Sequence, residues 1–193
     1  MASSPATWSR APRPTATACF TPTAAPRRST RPLYPTMPYD PAAAFAPIAL
    51  VSVAPMILVV NPGFPARSVD ELVRRAAERV GGLNFASGGP GTLPHLTFEL
   101  FRLATRINAV HVPYNGGAFS LAAVIAGEVP VTFEAVSIVR PRVRSGELRA
   151  LATTWLLRDA ELTDVPTMAE SFHPDVIAST WTGLVGPPAC HPS

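Results

Sequence analysis

Leu83-Asn84-Phe85-Ala86-Ser87-Gly88-Gly89-Pro90-Gly91-Thr92-Leu93-Pro94-His95 changes character twice in a short span. Leu83–Ser87, bounded by glycines, reads as a short strand. Gly88-Gly89-Pro90-Gly91-Thr92 can continue neither a strand nor a helix and reads as a turn. Pro94 fits the first turn of a helix, where a missing N–H costs no bond. Leu93, Leu96, Leu100 and Leu103 then recur on one helical face, and His95, Glu99, Arg102 and Arg106 on another.

The same grammar repeats on both sides. Downstream, Asn108–Val112 reads as a strand, Pro113-Tyr114-Asn115-Gly116-Gly117 as a loop, and the segment through Ala126 as a helix closed by Gly127. Val129–Glu134 follows as a strand, and Val136–Arg144 as a helix bent or restarted near Pro141, with Arg140, Arg142 and Arg144 on a solvated face. Leu148–Thr153 is a strand, Thr167–Phe172 a short helix, and Ile177–Val185 a final extended segment before Pro187-Pro188. Upstream, Ser68 caps a helix over 69–80 with Asp70 and Glu71 in its first turn. Its apolar stripe is Leu72, Val73, Ala76, Ala77 and Val80, its ion pairs are Glu71–Arg75 and Arg74–Glu78, and Gly81-Gly82 ends it. Before it, Ile48–Val53 and Met56–Val60 read as two buried strands broken at Pro55. Residues 41–66 carry no charge, but prolines interrupt them, and the clean run is shorter than the roughly 20 residues a membrane span requires. Strands alternating with helices imply an α/β domain with right-handed crossovers.

Composition excludes several functions. Of 193 residues, 47% are hydrophobic and 15% charged, enough to build a core. All 16 basic residues are arginine, so a phosphate-loop lysine and a Schiff-base lysine are ruled out. Five arginines and no acid precede Asp40, while 11 arginines and 13 acids lie from Asp40 onward, so the net +3 belongs to the amino terminus. A folded basic face for nucleic acid is not indicated. Cys19 and Cys190 give no disulfide framework, and the four histidines show no zinc spacing. Ten prolines fall in the first 47 residues. Residues 1–32 contain no apolar run of the kind a secretory signal needs and read as an unstructured or unrelated leader.

In open α/β sheets ligands bind beyond the carboxyl ends of the strands. Two strand-to-helix turns lie there, Ser87–Thr92 and Tyr114–Gly117. Glycines leave backbone amides unshielded, and each helix start adds about half a positive charge, so the pair suits a small anion without any lysine. Ser87 and Thr92 could add hydroxyl donors and His95 a ring N–H. Against this stands the reading of two tight turns and nothing more. The dinucleotide fingerprint fails for want of a third glycine. A hydrolase built on Ser87, His95 or His111 lacks a G-x-S-x-G elbow. Glu134, at the end of an apolar strand, either meets a ligand or turns to solvent. Trp155, Trp181, Phe98 and Phe101 read as core or rim packing.

From Leu33 to about Val185 the chain resembles the tripartite tricarboxylate transporter receptors, the Bug family of solute-binding proteins. The resemblance rests on Leu33-Tyr34-Pro35-Thr36-Met37-Pro38-Tyr39-Asp40-Pro41, Phe45–Val51, Leu58-Val59-Val60-Asn61-Pro62, Leu83–Gly88 with His95, His111-Val112-Pro113-Tyr114-Asn115-Gly116-Gly117, Gly146–Ala152 and Asp164-Val165-Pro166-Thr167. It implies an α/β periplasmic binding protein of type II topology: one near-complete lobe over 62–178, remnants of the other at 33–61 and 179–187, and a tail at 188–193. It implies a periplasmic receptor, not an enzyme, with no cofactor and no metal, that captures a small carboxylate and hands it to membrane permease subunits. Carried over, the ligand residues are Ser87, Gly88, Gly91, Thr92 and His95 in one turn, Tyr114, Gly116 and Gly117 in the other, and Glu134. Two departures stand out: Asn115 replaces the family's usual lysine, and Glu134 its usual aspartate. Truncation at both ends is expected to impair capture. A non-functional receptor fragment and a small anion-handling hydrolase are the other readings.

Overall fold

A computed structural model describes residues 46–186. The readings of 1–32, of 33–45 and of 187–193, with Cys19 and Cys190, lie outside the described residues. In chain order the elements are β1 (Ala46–Val60), α1 (Val69–Glu78), β2 (Leu83–Ser87), α2 (Leu93–Thr105), β3 (Ala109–Pro113), α3 (Gly117–Ala126), β4 (Val131–Ala135), α4 (Val136–Arg144), β5 (Arg149–Thr153) and β6 (Ser179–Gly186). The sheet runs β3-β2-β4-β1-β5, and β6 pairs with β1. β2 is parallel to β3 and β4, whereas β1 is antiparallel to β4, β5 and β6.

The inner half of β1, residues 56–60, is apolar because both of its faces are buried. Met56, Leu58 and Val60 enter one core with Leu72, Phe85 and Phe98, while Ile57 and Val59 enter a second with Leu121 and Val124. A strand buried on both faces has no polar side to show. The expected break at Pro55 is not there: β1 is one strand of 15 residues. Pro55 sits at the seam where β1 leaves β6 for β4 and β5, since Pro55 pairs with Ser179 and Met56 with Ala135. Its missing N–H falls where the ladder changes partners. Beyond the seam the expectation of a buried strand over Ile48–Val53 fails: Ile48, Leu50, Val51 and Val53 are exposed, because the outer half of β1 pairs with β6 alone.

Three further expectations need correction. Helix α1 stops at Glu78, and Val80 is fully exposed, because Arg79 turns extended and Gly81 and Gly82 follow at positive φ. Ser68 caps it as expected, accepting from Glu71 N at 3.2 Å. Glu71 in turn accepts from Arg67 N at 2.7 Å, so the expected pair with Arg75 gives way to Arg75–Glu78. Helix α2 buries Thr97, Phe98 and Phe101, and leaves Leu96 and Leu103 exposed. Aromatic packing decides its rotation: Phe98 stacks on Phe85 at 3.9 Å and meets Phe101 and Phe133 edge-on. Residues 167–172 form turns, not a helix, although Thr167 and Glu170 exchange capping bonds. Phe172 takes a left-handed φ of 64° and Pro174 follows, which stops the turn from propagating.

Helix α4 runs unbroken through Pro141. Pro141 and Ser137, whose carbonyl loses its partner, both face solvent, so water replaces the bond. Its arginines are paired as well as solvated: Arg140 reaches Asp159 and Glu161, Arg142 reaches Glu147, and Arg144 reaches Glu161. Among the described residues no helix is long and apolar enough to cross a membrane.

Candidate functional site at two abutting turns

Parallel pairing of β2 with β3 puts Ser87 opposite Pro113, so both strands end at the same edge. The turns that follow, 88–92 and 114–116, are in contact. Tyr114 N donates to Ser87 O at 2.9 Å. A Cβ on Gly88 would lie 2.8 Å from Gly117 N and 3.0 Å from Gly116 C. Only glycine at 88 permits this approach of backbone to backbone. Helices α2 and α3 start immediately behind, and neither has a side-chain cap bond.

The first turn is tied from within. Ser87 is fully buried, and its Oγ accepts from Gly89 N at 3.1 Å and lies 2.6 Å from His111 Nε2. Thr92 Oγ1 donates to Gly89 O at 2.7 Å. His95 Nδ1 accepts from Gly91 N at 3.2 Å. The amides of Gly89 and Gly91 are therefore already used. The amides of Gly88, Gly116 and Gly117 have no acceptor among the described residues. The free donors thus cluster at the contact between the turns and not along the whole first glycine run.

Glu134 closes the back of the site. It is 7% exposed, so the alternative in which it turns to solvent is wrong. Oε1 accepts from Ala135 N at 3.0 Å. Oε2 is 3.0 Å from where a Cβ on Gly117 would sit, directly behind the first turn of α3. Burial pushes its carboxyl above the ordinary range, and the Ala135 bond pulls the other way. Tyr114 lies differently from the expectation: its ring packs partly buried against the second core with Val112, and burial then Glu128 raise its phenol. Its backbone, not its ring, joins the turns.

His111 is the residue the sequence reading passed over except as a hypothetical triad member. Strand alternation puts it on the same face as Phe85, its partner in register, and Phe85 shares that face with Ser87. That parity was the available signal. The Ser87–His111 contact does not complete a triad, because among the described residues no carboxylate hydrogen-bonds His111 and Glu99 is held by Arg102 at 2.6 Å. Among the described residues no group of three His, Cys, Asp or Glu could hold a metal ion. A groove of about 430 Å³ between α3 and α4, lined by Ala118, Leu121, Ile125, Ile138 and Arg142, is mainly apolar, and the charge of Arg142 is paired with Glu147.

Comparison with known proteins identifies the family of the chain. The profile described as "Tripartite tricarboxylate transporter family receptor" matches residues 18–193. The chain is 34% identical to Protein BugT of Bordetella pertussis over 160 residues, which is 83% of this chain and 49% of that protein. It is 34% identical to the UPF0065 protein in the tcbD-tcbE intergenic region of a Pseudomonas species, over 80% of this chain and 46% of that one. Among solved structures, R. palustris Rpa4515 with adipate aligns with a TM-score of 0.84 at 31% identity, covering 91% of this chain and 58% of that one. MatC from Rhodopseudomonas palustris with bound malate aligns at 0.81 and 25% identity, covering 90% and 59%. The chain spans about half the length of the curated relatives it matches. With the family profile covering most of its length, the chain belongs to the tripartite tricarboxylate transporter receptor family.

Proposed function

We propose that the two abutting turns form one wall of a carboxylate site, and that the chain serves as the solute-binding component of a tripartite tricarboxylate-type transport system. The observation that carries this reading is the contact of Gly88 with Gly116 and Gly117, which concentrates unpaired amides at two helix starts. Gly88, Gly116 and Gly117 donate to the ligand. Ser87, Gly91, Thr92 and His95 hold the first turn in shape, Tyr114 links the turns through its backbone, and Glu134 bounds the site behind Gly117. The solved relatives with malate and with adipate favour a small dicarboxylate. By the same likeness the chain works in the periplasm and delivers its solute to membrane permease subunits; one solved relative is titled a periplasmic binding protein.

On this reading residues 62–178 are the ligand-holding lobe, and 46–61 with 179–186 belong to the connection toward a second lobe. One wall gives weak capture. Each hydrogen bond to a charged group contributes about 1.5–3 kcal/mol, so donors supplied by a facing wall would raise affinity by orders of magnitude. Titration calorimetry with malate, adipate and citrate tests the reading. The expected result is binding of at least one of them at about millimolar strength. Micromolar affinity would contradict the one-wall account, and no binding by any of them would leave the chain an inactive receptor fragment.

A further inference from the structure

We propose that His95 and His111 are positioning residues that hold the first glycine turn by accepting hydrogen bonds on their ring nitrogens, so that a proton added there loosens the turn instead of strengthening it as an anion site. Gly91 N–H points at His95 Nδ1 at 3.2 Å, and a backbone amide can only donate. Nδ1 therefore carries a lone pair, and the ring proton sits on Nε2. A doubly protonated ring would set N–H against N–H and break the tie. Ser87 Oγ already accepts from Gly89 N, so its own proton goes to Gly89 O at 3.2 Å or to His111 Nε2 at 2.6 Å. On the proposed assignment the shorter contact takes the proton, which places that of His111 on Nδ1.

The surroundings disfavour a charged His111. The two rings lie 4.1 Å apart with a tilt of 32°, so two cations would face each other. Phe85 of β2 stacks on His111 at 4.9 Å and shields it from water. From α2 the charged groups are Glu99, which favours a protonated His111, and Arg102, which holds Glu99 through two bonds of 2.9 and 2.6 Å. From β4 the acid is Glu134, placed behind Gly117. Burial first and His95 second hold His111 below its ordinary value of 6.5. The functional meaning rests on the proposed reading of these turns as an anion site, in which neutral dipoles and not a histidine cation attract the ligand.

The claim is tested without ligand by long-range proton–nitrogen NMR of the imidazoles in the full chain between pH 5 and 8. The amides of Gly89 and Gly91 are followed in the same titration. The expected result is an Nε2–H tautomer at His95 and an Nδ1–H tautomer at His111 at pH 7.5. The His111 midpoint falls below 6.5, and both glycine amides shift with ring protonation. An Nδ1–H proton on neutral His95, a cationic ring at pH 7.5, or glycine amides unmoved through the titration would overturn it. In His111→Phe, stacking is kept and the acceptor lost, and exchange of the Gly89 amide is expected to rise up to about tenfold; unchanged exchange in a folded variant would overturn it. If the variant does not fold, the wild-type titration decides. Adding malate at pH 7.5 and 5.5 separates the two readings. Absence of ligand shifts at both pH values counts against the anion site, while the tautomers still judge the histidines.

Discussion

Gly88→Ala perturbs the paired turns at the point where they touch. The new methyl would lie 2.8 Å from Gly117 N and 3.0 Å from Gly116 C, both backbone atoms that cannot rotate aside. Ordinary contact begins at 3.4 Å, so the turns must part by about 0.6 Å, the difference between 2.8 and 3.4 Å. The φ of Gly88 is not in the left-handed region, so alanine pays no backbone strain there, only the clash. Forcing extra volume into a packed contact costs about 1–3 kcal/mol. Urea unfolding followed by tryptophan fluorescence reads that loss, and amide NMR shifts at Gly116 and Gly117 report the displacement. Gly81→Ala is the control: it takes the strain of φ +91° but meets nothing within 4 Å. It should lower stability without moving the amides of Gly116 and Gly117. A Gly88→Ala protein within about 0.5 kcal/mol of the parent, with those amides unmoved, would refute the contact.

Other perturbations follow from the same geometry. Because burial raises the Glu134 carboxyl, the native state holds its proton more tightly than the unfolded chain. That stabilising contribution is complete below the unfolded value and is lost as pH rises through the raised one. Glu134→Gln should remove this falling segment from the stability–pH curve measured by urea unfolding, and an unchanged curve would show that the carboxylate is solvated. Phe98→Ala deletes the ring stacked on Phe85 and should cost about 3–5 kcal/mol in the same assay; a loss under about 1 kcal/mol would mean the aromatic cluster is not the core of that face. Leu50→Thr with Val51→Thr replaces two side chains that are 65% and 60% exposed on the outer half of β1. Sedimentation velocity should show less self-association than the parent, and equal association would exonerate this ribbon.

Local chemistry carried much of the fold. Ser68 announced α1, Gly127 closed α3, and the two glycine turns stood where strands ended. Their contact was not legible, because it depends on β2 and β3 being neighbours with Ser87 and Pro113 in register. Pro55 misled because a break in hydrogen bonding was taken for a break in the strand, whereas β1 only exchanges partners there. The rotation of α2 was lost because leucine spacing was weighed without the larger aromatic rings that outcompete it. Thr167 and Glu170 made a cap with no helix behind it, since capping favours a start but cannot override the left-handed Phe172. At the site, Ser87 and His95 were chosen as ligand donors. The structure ties Ser87 to Gly89 and His111, and His95 Nδ1 to Gly91 N, contacts between residues whose spacing in the chain does not announce them.

The central claim is that Gly88, Gly116 and Gly117 present their amides together to one carboxylate. An amide NMR map of the nitrogen-15-labelled chain titrated with malate at neutral pH tests it most directly. The account predicts the largest shifts at these three amides, saturating on a single curve. Shifts centred on the groove between α3 and α4, or three amides that stay put while others move, would contradict it.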